Sequence, residues 1–169
     1  MSRYATLEDL VRIASNGWDE LAQRGSRDRR VTGVLLRTLA EGGDTSGFPP
    51  EAVTEAGYAL DVLNDSLDRA SRHADTYIAP RAPTPVSAEL LERSDLPSVV
   101  AAIALRRLYG TTVPEAVLAG TAWADKYLRD FADGRVSLGA GAPAPGGDNL
   151  TYHGFGPRGI TDDTLRGFE

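Results

Sequence analysis

The sequence has no cysteine, which excludes disulfides, thiolate metal centres and cysteine nucleophiles. It has two histidines, His73 and His153; His73 has no second histidine or carboxylate at ligand spacing and His153 falls in the Gly-rich C-terminal stretch, so a metal site has little to build on. Lysine occurs once, at Lys126. No apolar run approaches the roughly 20 residues that cross a bilayer. The start carries Arg3, then Glu8 and Asp9, with no apolar h-region, so no secretory signal is visible. Basic runs are also lacking. The richest one, Arg24 to Arg30, is diluted by Asp28 and reads as a solvated loop. With 18 basic against 24 acidic residues the net charge is -6, and counterion release from phosphates needs a cationic cluster that the sequence does not display.

Catalytic signatures are missing too. There is no Gly-rich phosphate loop, no nucleophile elbow and no zincin pattern. Asp61 and Asp65 lie on the polar side of a predicted helix, where they serve solvation rather than acid–base exchange. Asp162 and Asp163 could hold a cation only if other chains completed its shell. The expectation is a protein that is not an enzyme and takes no cofactor.

What is present is helical periodicity. The chain has 169 residues, 41% of them hydrophobic, with 18 glycines and 10 prolines, which fits one domain plus loops or arms. Thr6 with Asp9 forms a capping-box pattern ahead of Leu7, Leu10, Val11 and Ala14. Asn16-Gly17 closes that element, and a second short turn holds Trp18 and Leu21. From 23 to 48 the pattern weakens, and the segment reads as an irregular insertion, although Val34, Leu35 and Leu39 allow a helix within Val31 to Ala40.

The strongest signal follows. Pro50 suits a first helical turn, and Val53, Ala56, Leu60, Leu63, Leu67, Ala70, Ala74 and Tyr77 step by threes and fours. Glu55, Asp61, Asp65, Asp68, Arg69 and Arg72 occupy the other side. The pattern predicts one amphipathic helix over about 50–79, stopped by Pro80 and roughly 40–45 Å long. That exceeds the needs of a small globule, and the packing expected is one long helix on shorter ones rather than a coiled coil. After a proline-rich connector (81–85), Val86 to Arg93 adds a turn or two. Val99 to Leu105 is apolar all round and predicts a central helix. Thr112-Val113-Pro114-Glu115 reads as another capping box, opening a helix with Val117, Leu118, Ala122, Leu128 and Phe131, and Gly134 supplies its left-handed C-cap. The fold class expected is mainly α: a small helical bundle over 1–138 with one long helix, an insertion and an extended C-terminal arm. Residues 139–149 are a Gly/Ala/Pro linker. Residues 150–169 regain Tyr152, Phe155, Ile160, Leu165 and Phe168 among glycines, a composition suited to ordering against a partner.

Taken in order, several blocks resemble the Mu-like phage head–tail connector family. They are Tyr4-Ala5-Thr6 with Asp9-Leu10, and Ala74-Asp75-Thr76-Tyr77-Ile78, similar to that family's I-x-x-Y-L segment. Leu96-Pro97-Ser98-Val99-Val100 then leads into Ile103-Ala104-Leu105-Arg106-Arg107-Leu108-Tyr109. Ala124, Tyr127, Leu128 and Phe131 precede Asp133-Gly134-Arg135-Val136-Ser137-Leu138-Gly139. Arg158, Asp162-Asp163 and Leu165-Arg166-Gly167-Phe168 close the series. The chain departs from the family pattern in a longer 23–48 segment and in Ala79-Pro80. The resemblance implies a virion protein made in the host cytoplasm. It would sit at the head–tail junction as a homo-oligomeric ring of about twelve subunits between the portal and the next neck protein.

On that reading Tyr152, Phe155, Arg158, Ile160, Leu165, Arg166 and Phe168 anchor the arm on a neighbour. Asp61, Asp65 and Asp68 are candidates to line a phosphate-repelling lumen through which DNA passes without specific binding. Two other readings compete. A stopper or tail terminator would be β-rich. A cytoplasmic helical regulator would need a recognition helix with exposed Arg, Asn or Gln, of which Val113 to Ala132 offers few.

Overall fold

A computed structural model describes residues 3–138. They form seven helices with no strand among the described residues, so the mainly α expectation holds. The linker (139–149) and the arm (150–169), with all seven arm residues named above, lie outside the described residues.

Helix α1, Leu7–Ile13, is set by a complete capping box. The Thr6 side chain accepts from the Asp9 N–H, and the Asp9 carboxylate accepts from the Thr6 N–H. Gly17, at φ +53, turns the chain into α2, Gly17–Gly25, so Asn16-Gly17 opens the second helix as well as closing the first. Helix α3, Gly33–Ala40, is capped by the Thr32 side chain. Helix α4, Pro50–Ile78, runs 29 residues, about 43 Å. A short α5, Ala88–Glu92, precedes α6, Leu96–Leu108, and α7, Glu115–Ala132.

The long helix does not outrun its core. It packs on α2 and α3 and also on α6 and α7, and it is buried from Ala52 at one end to Ile78 at the other. Its buried arc keeps Ala56, Leu63, Leu67, Ala70 and Ala74 of the expected stripe and is wider than it. Ala59, Ser66, Ser71 and Ile78 are covered, whereas Val53, Leu60 and Tyr77 are only partly buried. The small residues let α6 come close, and the Ser66 hydroxyl donates to the Ala104 carbonyl at 2.9 Å. Helix α6 is the central element predicted, with Val99 to Leu105 all buried and α1, α4 and α7 around it.

The 23–48 segment is corrected in part, since the helix allowed within Val31 to Ala40 is present as α3. It is no irregular insertion: α2 extends to Gly25, α3 packs on α2 and α4, and Val31, Leu35 and Leu36 join the single core cluster. Gly33 explains the close approach, because its N–H donates to the Asp19 carboxylate at 3.1 Å and α2 backbone lies where a Cβ would stand. The second capping box is also corrected. Helix α7 starts at Glu115 with Pro114 as N-cap and no side-chain cap bond. A cap at Thr112 would require helical geometry at Val113, which the following proline disfavours. At Leu96-Pro97 the same cost is met by the complete burial of Leu96. Gly134, at φ +76, ends α7 as expected.

Two tyrosine–carboxylate contacts pin the bundle. The Tyr4 hydroxyl donates to Asp75 of α4 and accepts from the Val86 N–H at 3.2 Å. Burial first, then that bond to Asp75, pushes the Tyr4 pKa up to about 12. The Tyr109 hydroxyl donates to the buried Glu20 carboxylate of α2. Among the described residues no buried side-chain polar atom lacks a partner.

Candidate interaction surfaces

Two surface features bear on interaction once the core is assembled. The first is the start of α7. Its neighbours cover Thr121, Ala124, Leu128 and Phe131, spaced by threes and fours along one side. Before Thr121 the helix stands off from the bundle: Glu115, Ala116, Leu118, Ala119 and Gly120 are all exposed and Val117 is only partly covered. Leu118 is 44% exposed and Trp123 40%. Of the apolar residues that the sequence places on α7, Leu128 and Phe131 are buried, Val117 is partly covered, and Leu118 and Ala122 are exposed. An isolated helical turn is marginal in water without an apolar face to bury, and here that face is open. Apolar exposure also occurs at Val34 of α3 and at Tyr58 and Val62 of α4. Single residues of that kind are normal on any surface, whereas a helix start with no buried residue from Glu115 to Gly120 is not.

The second feature is a groove of about 430 Å³ between α2, α4 and the end of α6, lined by Arg24, Val62, Asp65, Ser66, Arg69, Arg107, Leu108 and Gly110. Arg24 lies 4.2 Å over the Tyr109 ring, a cation–π contact that holds its guanidinium in place. Arg69 pairs with Asp65 at 2.7 Å. Partial burial, then the nearby Arg106, Arg69 and Arg72, push the Arg107 pKa below its usual value. Asp125 is the carboxylate that acts on Arg107, and it is bound bidentately to Arg106 at 2.5 and 2.9 Å. That pair fastens α7 to α6 and lowers the Asp125 pKa, the Arg106 hydrogen bonds being the main cause. No sequence signal marked the groove, because three helices far apart in the chain contribute its arginines.

The lumen candidates can now be placed. Asp61 is exposed on α4. Asp65 carries Arg69, and Asp68 carries Arg3 at 2.9 Å, which lowers its pKa. Arg3 also donates to Asn64, so this side of α4 is a mixed-charge strip that fixes the N-terminal segment rather than a row of uncompensated carboxylates. His73 packs edge-on to Tyr77 at 5.3 Å, and its pKa is lowered by burial first and then by Arg107. No group of three His, Cys, Asp or Glu among the described residues is arranged to hold a metal ion, and no helix among them is long and apolar enough to cross a membrane.

The family model described as Bacteriophage Mu, Gp36 matches residues 4–150, which takes in every helix above. No curated protein and no solved structure matches the chain.

Proposed function

The chain belongs to the Bacteriophage Mu Gp36 family, and from that membership we propose that it is a non-catalytic virion protein, a ring-forming adaptor between portal and tail. The observation that carries this reading is the start of α7, where no residue from Glu115 to Gly120 is buried and Leu118 is exposed, with Trp123 exposed on the next turn. A ring of identical subunits is closed by heterologous contacts, in which one surface of each copy meets a different surface of the next. A helix start that stands off the bundle, with an exposed tryptophan on the turn that follows it, is suited to be one half of such a contact, since tryptophan is among the commonest carriers of interface energy.

Residues 150–169 supply further anchors by sequence, with Phe155, Ile160, Leu165 and Phe168 as the apolar ones, and the portal and the next neck protein are the partners proposed for them. The helical character of the described residues supports this position over a β-rich stopper or terminator. The acidic balance of the chain suits a conduit that DNA traverses without being held.

Two measurements test the proposal. The purified chain, alone and mixed with the portal of the same phage, is sized by analytical ultracentrifugation and electron microscopy. A ring formed on the portal is expected, and a chain that stays monomeric in its presence refutes the adaptor reading. Deleting residues 150–169 is expected to leave the far-UV helical spectrum intact and to abolish tail joining. Normal joining by the truncated protein removes the arm from the account.

A further inference from the structure

The groove between α2, α4 and α6 gathers charge against the trend of the molecule. Arg24, Arg69 and Arg107 face it with Asp65 as the one carboxylate of its lining, in a chain of net charge -6. Gathering like charges costs energy that an anionic partner returns. The groove's own carboxylate, Asp65, is committed to Arg69, and Asp125, the carboxylate that acts on Arg107, is committed to Arg106. Val62, 45% exposed, and Leu108 give the same groove an apolar edge.

We infer that this groove is the seat of the acidic–apolar segment Asp162-Asp163-Thr164-Leu165 of the chain's own C-terminal arm. The carboxylates of Asp162 and Asp163 meet Arg107 and Arg24, and Leu165 lies against Val62. Charge complementarity is the main argument. Guanidinium–carboxylate pairs are short, directional and among the stronger hydrogen bonds, and the adjacent acidic pair with an apolar residue two places on repeats the groove's own order of cations and apolar edge. Reach is no obstacle. The 23 residues from 139 to 161 span up to about 80 Å when extended, well beyond the length of α4. A nucleic-acid phosphate is the poorer occupant, because three arginines with an apolar edge on an acidic protein release few counterions.

The inference rests on the reading of residues 150–169 as an interaction arm but not on the ring, and the test separates the two. The chain has no cysteine, so Val62→Cys with Leu165→Cys in the full chain introduces the only two thiols. A short bismaleimide then joins them if they meet. Denaturing electrophoresis shows whether the link is within one chain or between two, and either product supports the inference. Val34→Cys with Leu165→Cys is the control, Val34 being exposed on α3 outside the groove.

The groove pair is expected to cross-link about tenfold faster than the control, as one charge-assisted contact would give. Adding Arg107→Glu is expected to bring the rate down to the control, and combining it with Asp162→Lys and Asp163→Lys to recover part of it. High salt is expected to slow the reaction. Equal rates for groove and control pairs, or indifference to Arg107→Glu in a variant with an unchanged circular dichroism spectrum, overturn the inference. So does duplex DNA binding lost on Arg107→Glu without any cross-link. If the link fails while truncation still abolishes tail joining, the arm binds elsewhere and the adaptor reading survives. If the link forms in a chain that never assembles on a portal, the ring fails alone.

Discussion

Gly33→Ala and Gly57→Ala are the same chemical change with opposite expected signs. Alanine is the better helix former, and at an unobstructed helix interior the exchange is worth about 0.5–1 kcal/mol of stability. Gly57 sits within α4 with nothing within 4 Å of the position a Cβ would take, so that gain is realised in full. At Gly33 the added carbon would lie 2.7 Å from the Asp19 backbone nitrogen and 2.8 Å from the Trp18 carbonyl carbon, and it would also press on the Asp19 carboxylate. Both backbone contacts fall far inside ordinary van der Waals separation, and backbone in the first turn of α2 has no rotamer by which to yield. Helices α2 and α3 must part, at about 1–3 kcal/mol for overpacking, and the hydrogen bond from the Gly33 N–H to Asp19 is strained or lost, at about 1 kcal/mol more. The net expectation is a loss of about 2–3 kcal/mol, set against the small propensity gain. In a domain of this size that lowers Tm by roughly 4–12 °C, whereas Gly57→Ala raises it by a few degrees. Urea melts followed by circular dichroism read both. A Gly33→Ala protein as stable as the wild type would mean that α2 and α3 are not locked together, and the 23–48 segment would return to being an appendage.

Other outcomes follow from single contacts. Tyr4→Phe removes the hydroxyl that donates to Asp75 and leaves the Val86 N–H without its acceptor, so denaturant melts are expected to show a loss of about 1–3 kcal/mol; a change within error removes Tyr4 as the pin between the N-terminal segment and α4. Asp125→Asn breaks the charge of the α6–α7 pair, which is partly solvent-screened, at about 1 kcal/mol near neutrality. Because Arg106 holds the folded pKa of Asp125 below its unfolded value, that contribution is complete above about pH 4 and disappears as pH falls through the lowered folded value. Wild type and Asp125→Asn should therefore converge in stability as the solution is acidified, and a gap that does not narrow in acid contradicts the assignment. Leu118→Asp with Trp123→Asp is expected to leave monomer Tm within about 2 °C, since neither side chain is in the core, while abolishing assembly on the portal. A large drop in Tm would place both residues in the fold instead.

Several elements could be read directly from the sequence because local rules decide them. The capping box at Thr6 and Asp9, the amphipathic run of α4, the all-apolar Val99 to Leu105 and the left-handed Gly134 each depend on residues within a few positions of one another. Tertiary structure decided the rest. Helix α4 lies against neighbours on two sides, so its covered arc is wider than a single stripe and takes in Ala59, Ser66 and Ser71 at the expense of Val53, Leu60 and Tyr77. Helix α3 has only eight residues, too few to be stable by propensity, and it persists because Gly33 lets it rest on α2. The cationic groove is assembled from α2, α4 and α6, whose arginines are unremarkable until folding brings them together. Periodicity and caps are properties of neighbours along the chain, whereas burial and charge clustering are properties of neighbours in space.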